Sequence, residues 1–217
     1  MILRCVYIDT PDPEFLSLEP RYQAGFLTAK ELDHYVSLPE YGLTEHFVAR
    51  ELAMGHECFA IREGRALAAY GWYSTTATHF TDDLSVRFAP DWVYMHSGFT
   101  HPTYRGRRLH AFGMTIVLSL YRGRGYNGLV SIVNADNTAS LKSCARMGYE
   151  IFGTIYTVRP GRLLGLRRPG RFLDGVFVFA TPGCRRFGFR LSRTPVGVTP
   201  PRALTTPDAA VAPSDAR

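Results

Sequence analysis

Apolar positions fall along this chain in short alternating or clustered runs, and the runs predict a series of strands and helices. Leu3 to Ile8 reads as a strand, broken by Thr10-Pro11-Asp12-Pro13-Glu14, where two prolines stop regular structure. Thr28 is placed to cap a helix starting near Ala29, with Glu31 three residues on as its capping-box partner. A second helix is expected from about Glu45 to Met54 behind the cap Thr44. Phe47, Val48 and Leu52 form its apolar side, Glu45, Arg50 and Glu51 its charged side, and Gly55 closes it.

Two strands, Cys58 to Arg62 and Ala66 to Tyr73, flank Glu63-Gly64-Arg65 and read as a hairpin. Asp91 to Thr100 is a further strand ending at His101-Pro102. It is followed by a helix from about Leu109 to Tyr121 with Phe112, Ile116, Val117 and Leu120 facing inward. Gly128 to Val133 is a short buried strand, and Asn137 to Met147 a helix with Leu141, Cys144 and Ala145 on one side and Gly148 as its stop. Ile151 to Val158 and Gly175 to Ala180 are the last strands. The alternation of strand and helix from residue 91 onward implies a parallel pair within a mixed α/β sheet. Residues 1–193 are expected to form one domain and residues 194–217, rich in Pro, Ala and Thr, a disordered tail.

Composition narrows the class. The 217 residues are 46% hydrophobic and 13% aromatic, enough for a sizeable core. No apolar run reaches the roughly 18 residues of a membrane span, and the first residues lack a secretory signal. Cys5, Cys58, Cys144 and Cys184 are widely spaced, so neither a zinc site nor a disulfide framework is expected, and a cytoplasmic location is the default. A net charge of +6 favours anionic partners: phosphates, CoA, an acidic acyl carrier protein, a membrane surface, nucleic acid. No nucleic-acid motif is present to support the last. The loop from Arg159 to Arg171 is strongly basic and reads as a solvated turn, a lid, or a docking patch.

The stretch His101-Pro102-Thr103-Tyr104-Arg105-Gly106-Arg107-Arg108-Leu109-His110 joins a strand to a helix start. Such a turn aims backbone N–H groups and the positive end of a helix dipole at one spot, a ready pyrophosphate site. Pro102-Thr103-Tyr104-Arg105-Gly106 resembles the lead-in to the phosphate-binding motif of the GNAT acyltransferases. Asn137 to Gly148-Tyr149 is similar to that family's second signature, an Asn followed by a helix ending in Gly and an aromatic residue.

The resemblance implies a mostly antiparallel mixed sheet, flanked by helices and splayed beside the strand Val93 to Thr100. It implies acetyl-CoA or another acyl-CoA as co-substrate, no metal, and a primary amine on a small molecule or peptide as acceptor. A homodimer is compatible with it. The backbone at Phe99 and Thr100 would hold the pantetheine and acyl groups. The turn Arg105, Gly106, Arg107, Arg108, Leu109, His110 would hold the pyrophosphate, and Asn137 would approach the pantetheine while capping its helix. The chain departs from the pattern in having Arg108 and His110 where the family has small residues, and Cys144 where many members carry a proton-donating tyrosine. Cys144 is therefore one candidate acid. His96 is the candidate base, placed by strict alternation on the same strand face as Gly98 and Thr100. The alternative is a catalytically degenerate CoA-binding or regulatory module.

Overall fold

A computed structural model describes residues 2–81, 84–156, 177–180 and 190–192. The basic loop 159–171 and the tail from residue 194 lie outside the described residues, as do the expected strand positions 157–158 and 175–176.

The chain runs β1 (Ile2–Ile8), β2 (Tyr22–Phe26), α1 (Ala29–Val36), α2 (Glu45–Ala53), β3 (Glu57–Glu63), β4 (Ala66–Ser74), β5 (Thr78–Thr81), β6 (Leu84–Arg87), β7 (Val93–Thr100), α3 (Leu109–Gly123), β8 (Leu129–Asn134), α4 (Thr138–Arg146), β9 (Glu150–Tyr156), β10 (Phe177–Ala180) and β11 (Arg190–Ser192). Eight strands make one sheet in the order β10-β9-β1-β8-β7-β4-β3-β2, and β11-β6-β5 make a small second sheet. Every pairing in the large sheet is antiparallel except β7 with β8.

The helices start where their caps dictate. Thr28 and Glu31 form the full capping box on α1, Thr44 Oγ1 accepts the Phe47 N–H of α2, and Asn137 Oδ1 accepts the Ser140 N–H of α4. Gly148, at φ +86°, ends α4 in the left-handed conformation that glycine adopts without a Cβ penalty. Alternation along β3 sends Phe59 to one side of the sheet and Cys58 to the other. On the first side α3 buries Phe112, Val117, Leu118 and Tyr121. On the second, α1 and α2 bury Leu32, Tyr35 and Val48 against Trp72 and Leu67. Each aliphatic side chain fully removed from water in these layers contributes about 1.5–3 kcal/mol.

Several expectations change. Helix α3 runs two residues past Tyr121, and Leu120, expected inward, is 42% exposed. Strands β5 and β6 have no counterpart in the expected elements, because they are too short and polar to show a strand period. Glu51, assigned to the charged side of α2, is buried at 1% exposure, because it lies three residues after Val48 and so on the inward face. Strand β9 does not follow β8 in the sheet: β1 is inserted between them, antiparallel to both. Among the described residues no helix is long and apolar enough to cross a membrane.

Candidate active site

Strands β7 and β8 pair at Val93 with Leu129, Tyr94 with Val130 and Met95 with Ser131, and the pairing stops there. The Ser131 hydroxyl donates to the Met95 carbonyl at 2.9 Å, closing the last rung. Beyond it the strands part and open a cleft of about 1050 Å3. One wall is the end of β7 and the start of α3, and the other is the end of β8 and the first turns of α4. Met95, Met114, Met147 and Cys144 give its floor a soft apolar lining.

At one end lies the start of α3. Gly106, at φ +78°, and Arg108, at φ +58°, turn the chain into the helix without a side-chain cap. The first helical bond there is Phe112 N–H to Arg108 O, so the N–H groups of Leu109, His110 and Ala111 have no partner within the helix. Arg105 and Arg108 line the cleft beside them. Arg108 is 2.5 Å from Glu14, on a short turn that packs against α3. Arg107 is directed elsewhere: it donates to the Tyr22 hydroxyl at 3.1 Å and stacks over Tyr104. Phe99, Thr100, Gly106, Leu109, His110 and Asn137 all border the cleft.

The β7 edge carries a bulge. Tyr70 pairs with Phe99 and Trp72 with His96, so Ser97 and Gly98 together face Gly71. Ser97 takes φ +49° at the bulge, a left-handed conformation in a residue that has a Cβ. The extra residue reverses the alternation. Gly98 faces Met95 and His110, where an added Cβ would stand 2.8 Å and 3.0 Å from their side chains. His96 looks to the other side, against Glu51, His56 and Tyr94. The expected shared face of His96 with Gly98 and Thr100 is thus corrected: one bulge residue inverts every side chain beyond it.

Glu51 Oε2 is 2.5 Å from His56 Nδ1 and 3.6 Å from His96 Nε2, while Arg50 donates to Oε1 at 3.1 Å. Burial alone would raise the Glu51 carboxyl, but the His56 hydrogen bond, the imidazole charges and Arg50 bring it below the usual range. Burial pushes His96 down to about 4, against the opposing pull of Glu51, so its imidazole is neutral at pH 7. The three side chains bring ligand-type atoms within 4.8 Å of one another. Ligands around a tetrahedral ion with bonds of about 2.0–2.1 Å stand roughly 3.3 Å apart. The shorter Glu51–His56 separation is a charge-assisted hydrogen bond. Cys144 is buried in the α4 face of the cleft, and burial raises its thiol to about 11. Tyr149, after the α4 stop, is buried in the main core with its hydroxyl pushed well up.

Helix α2 brings Glu51, the loop before β3 brings His56, and β7 brings His96: sequence reasoning missed the first two. The spacing of Glu51 from Val48 held the only signal. Ser97 was missed because no sequence pattern announces a bulge.

No protein-family model matches the sequence, and no curated protein is similar to it at the sequence level. Solved structures do match. A GCN5-related N-acetyltransferase-like protein from Streptococcus suis superposes with a TM-score of 0.50 at 13% identity, over 71% of this chain and 59% of that one. The chain has the GNAT fold. A Drosophila protein matches at TM-score 0.51 and 13% identity, over 70% of this chain and 48% of its own. A GNAT-family acetyltransferase from Colwellia psychrerythraea matches at TM-score 0.49 and 12% identity, over 69% and 52%. The GNAT-like part therefore spans about half to three fifths of the length of these three proteins.

Proposed function

We propose that the chain is an N-acyltransferase that moves an acetyl or longer acyl group from acyl-CoA to a primary amine by direct attack on the thioester. The observation that carries this reading is the cleft at the parting of β7 and β8, which leads to the unbonded N–H groups of α3 beside Arg105 and Arg108. A helix start with two guanidinium groups suits a pyrophosphate, and the methionine-lined floor suits a pantetheine arm. The half-buried Phe99 and Thr100 would hold the acyl end, and Asn137 would sit beside the arm at the start of α4.

CoA supplies the activated acyl group, and the residues of the chain position it. In this reading His96, neutral at pH 7, is the base on the acceptor side. Cys144 stays protonated near neutrality and is the candidate donor to the leaving thiolate. Glu14 occupies Arg108 in the structure, so phosphate binding would exchange one anionic partner of this guanidinium for another.

Isothermal titration tests the reading. Acetyl-CoA is expected to bind, CoA lacking its 3′-phosphate more weakly or equally, and Arg105→Ala/Arg108→Ala to lose at least about tenfold in affinity, as expected for two charge-assisted contacts. No heat and no thermal stabilisation with any acyl-CoA would rule it out. The second reading, a silent CoA-binding or regulatory module, is favoured by Cys144 at the place where many GNAT members have tyrosine. Binding without turnover across a panel of amines would support it.

A further inference from the structure

Beyond transfer to an external amine, the structure assigns Ser97 as a nucleophile in its own right: Ser97, His96 and Glu51 form a hydrolytic triad at the mouth of the cleft, and the chain can take an acyl group onto Ser97 and pass it to water. The inference rests on the preceding reading only for acyl-CoA as the natural donor.

On a regular strand, neighbours His96 and Ser97 would point to opposite faces and could not meet. The left-handed turn at Ser97 brings them together, with the hydroxyl oxygen 3.2 Å from His96 Nδ1. A non-glycine residue held there is strained, and strain of this kind persists where the surroundings enforce it. Here the enforcing contacts are the flanking pairs Tyr70 with Phe99 and Trp72 with His96.

The proton placement follows from the partners. An ionised carboxylate only accepts, so the His96 nitrogen turned toward Glu51, Nε2, is the protonated one, and the lone pair rests on Nδ1, facing Ser97. His96 Nε2 has no hydrogen-bond partner at normal range, and Glu51 Oε2 is the acceptor within 3.6 Å of it. Glu51 is itself fixed by His56 and Arg50 and almost wholly buried. Nucleophile and base thus stand within hydrogen-bond reach, and the Glu51 carboxylate, 3.6 Å from the other ring nitrogen and beyond hydrogen-bond length, is the charge that stabilises the imidazolium formed when His96 takes the serine proton. Ser97 is exposed and borders the cleft two residues past the last β7–β8 rung.

The step balances without any further reagent. Ser97 Oγ bonds to the thioester carbonyl carbon as its proton passes to His96 Nδ1. The carbon–sulfur bond then breaks, and the thiolate leaves as CoA thiol with that proton. Water attacks the resulting ester, gives a proton to His96, and Ser97 departs with it, leaving a carboxylic acid. Ser97 and His96 are catalytic residues in this route, and Glu51 is a positioning residue.

The test uses the full chain with no amine present. It is incubated with acetyl-CoA and, separately, with p-nitrophenyl acetate, an activated ester that needs no CoA site. Thiol or nitrophenol release is followed, with intact-mass and peptide mass spectrometry. The expected result is release beyond the uncatalysed rate, with one acetyl group mapped to Ser97 either transiently or on acid quench. Ser97→Ala should abolish both signals, and His96→Ala should lower release by about 10²–10⁴-fold. Glu51→Gln should slow it while Ser97→Cys restores an acyl-enzyme, now as a hydroxylamine-labile thioester. Far-ultraviolet circular dichroism confirms that each variant folds. An acetyl group mapped to Cys144 or a lysine, or release by Ser97→Ala at the wild-type rate, overturns the assignment. So does the absence of release and adduct with both esters. If p-nitrophenyl acetate acylates Ser97 and acetyl-CoA does not bind, the triad stands and the acyl-CoA reading fails.

Discussion

At the scale of single residues, His96 links the site to stability. It is buried as a neutral imidazole, its pKa lowered from 6.5 to about 4 by desolvation, with Glu51 opposing and His56 and Arg50 adding to the shift. Below pH 6.5 the unfolded chain takes up a proton at this position and the folded chain does not. Stability is therefore complete above about pH 6.5 and is lost as pH falls toward 4, by on the order of 3 kcal/mol. His110, also lowered by burial, acts in the same direction. The urea midpoint should fall across this window, and His96→Gln should remove part of the fall while leaving the share of His110. A midpoint that stays level from pH 6.5 to 4 would contradict the burial of both imidazoles. Asn137 is a simpler case: its side chain accepts the Ser140 N–H, so Asn137→Ala should cost about 1 kcal/mol in denaturant unfolding.

At the scale of elements, the β1–β8 pair depends on a close approach at Gly128. A Cβ there would stand 2.3 Å from the Ile8 carbonyl oxygen and 2.7 Å from the Trp92 ring, and the first of these is backbone that cannot rotate aside. Gly128→Ala should destabilise by about 3 kcal/mol, the upper end of overpacking costs, read as a lower urea midpoint. Gly98→Ala makes a useful contrast, because its neighbours are the flexible end of Met95 and the ring of His110. It should cost less stability than Gly128→Ala while narrowing the cleft, and an equal loss in both variants would argue against that distinction. The β7 bulge belongs to this scale too. It converts a regular strand edge into one that presents Gly98 to α3 and His96 to α2, so residues two apart, which a regular strand would keep on one face, serve opposite sides of the sheet.

At the scale of the molecule, the N-terminal strand holds the two halves of the large sheet together. Ile2 pairs with Tyr156 and Leu3 with both Ile155 and Asn134, so β1 closes contacts across some 130–150 residues of chain. Such long-range pairing is slow to form and leaves edges exposed until it does. Deleting residues 1–8 would expose β8 and β9 as unpaired edges in the middle of the sheet. The truncated chain is expected to be aggregated or molten, with lost near-ultraviolet circular dichroism; a truncation that unfolds as cooperatively as the full chain would show that β1 is dispensable. The net charge of +6 also belongs to this scale: if the chain binds acetyl-CoA as proposed, long-range attraction of the anionic ligand predicts that binding weakens as salt is raised.

The sequence by itself determined whatever rests on local chemistry. Thr28, Thr44 and Asn137 mark their helix starts and Gly148 its helix stop, because capping is decided within a few residues. The turn from Arg105 to His110 reads as a candidate anion site for the same reason, and the order of elements around it points to the fold. Only the tertiary structure decided what depends on pairing and burial across the chain. Arg107 has the charge for the site, but its contacts with Tyr22 and Tyr104 take it away. Glu51 reads as a surface residue until the sheet covers the face of α2 that carries it. The insertion of β1 between β8 and β9 involves partners far apart in sequence, for which no local period exists. The bulge at Ser97 depends on how β4 and β7 come into register, and that register decides which way His96 points and what it can reach.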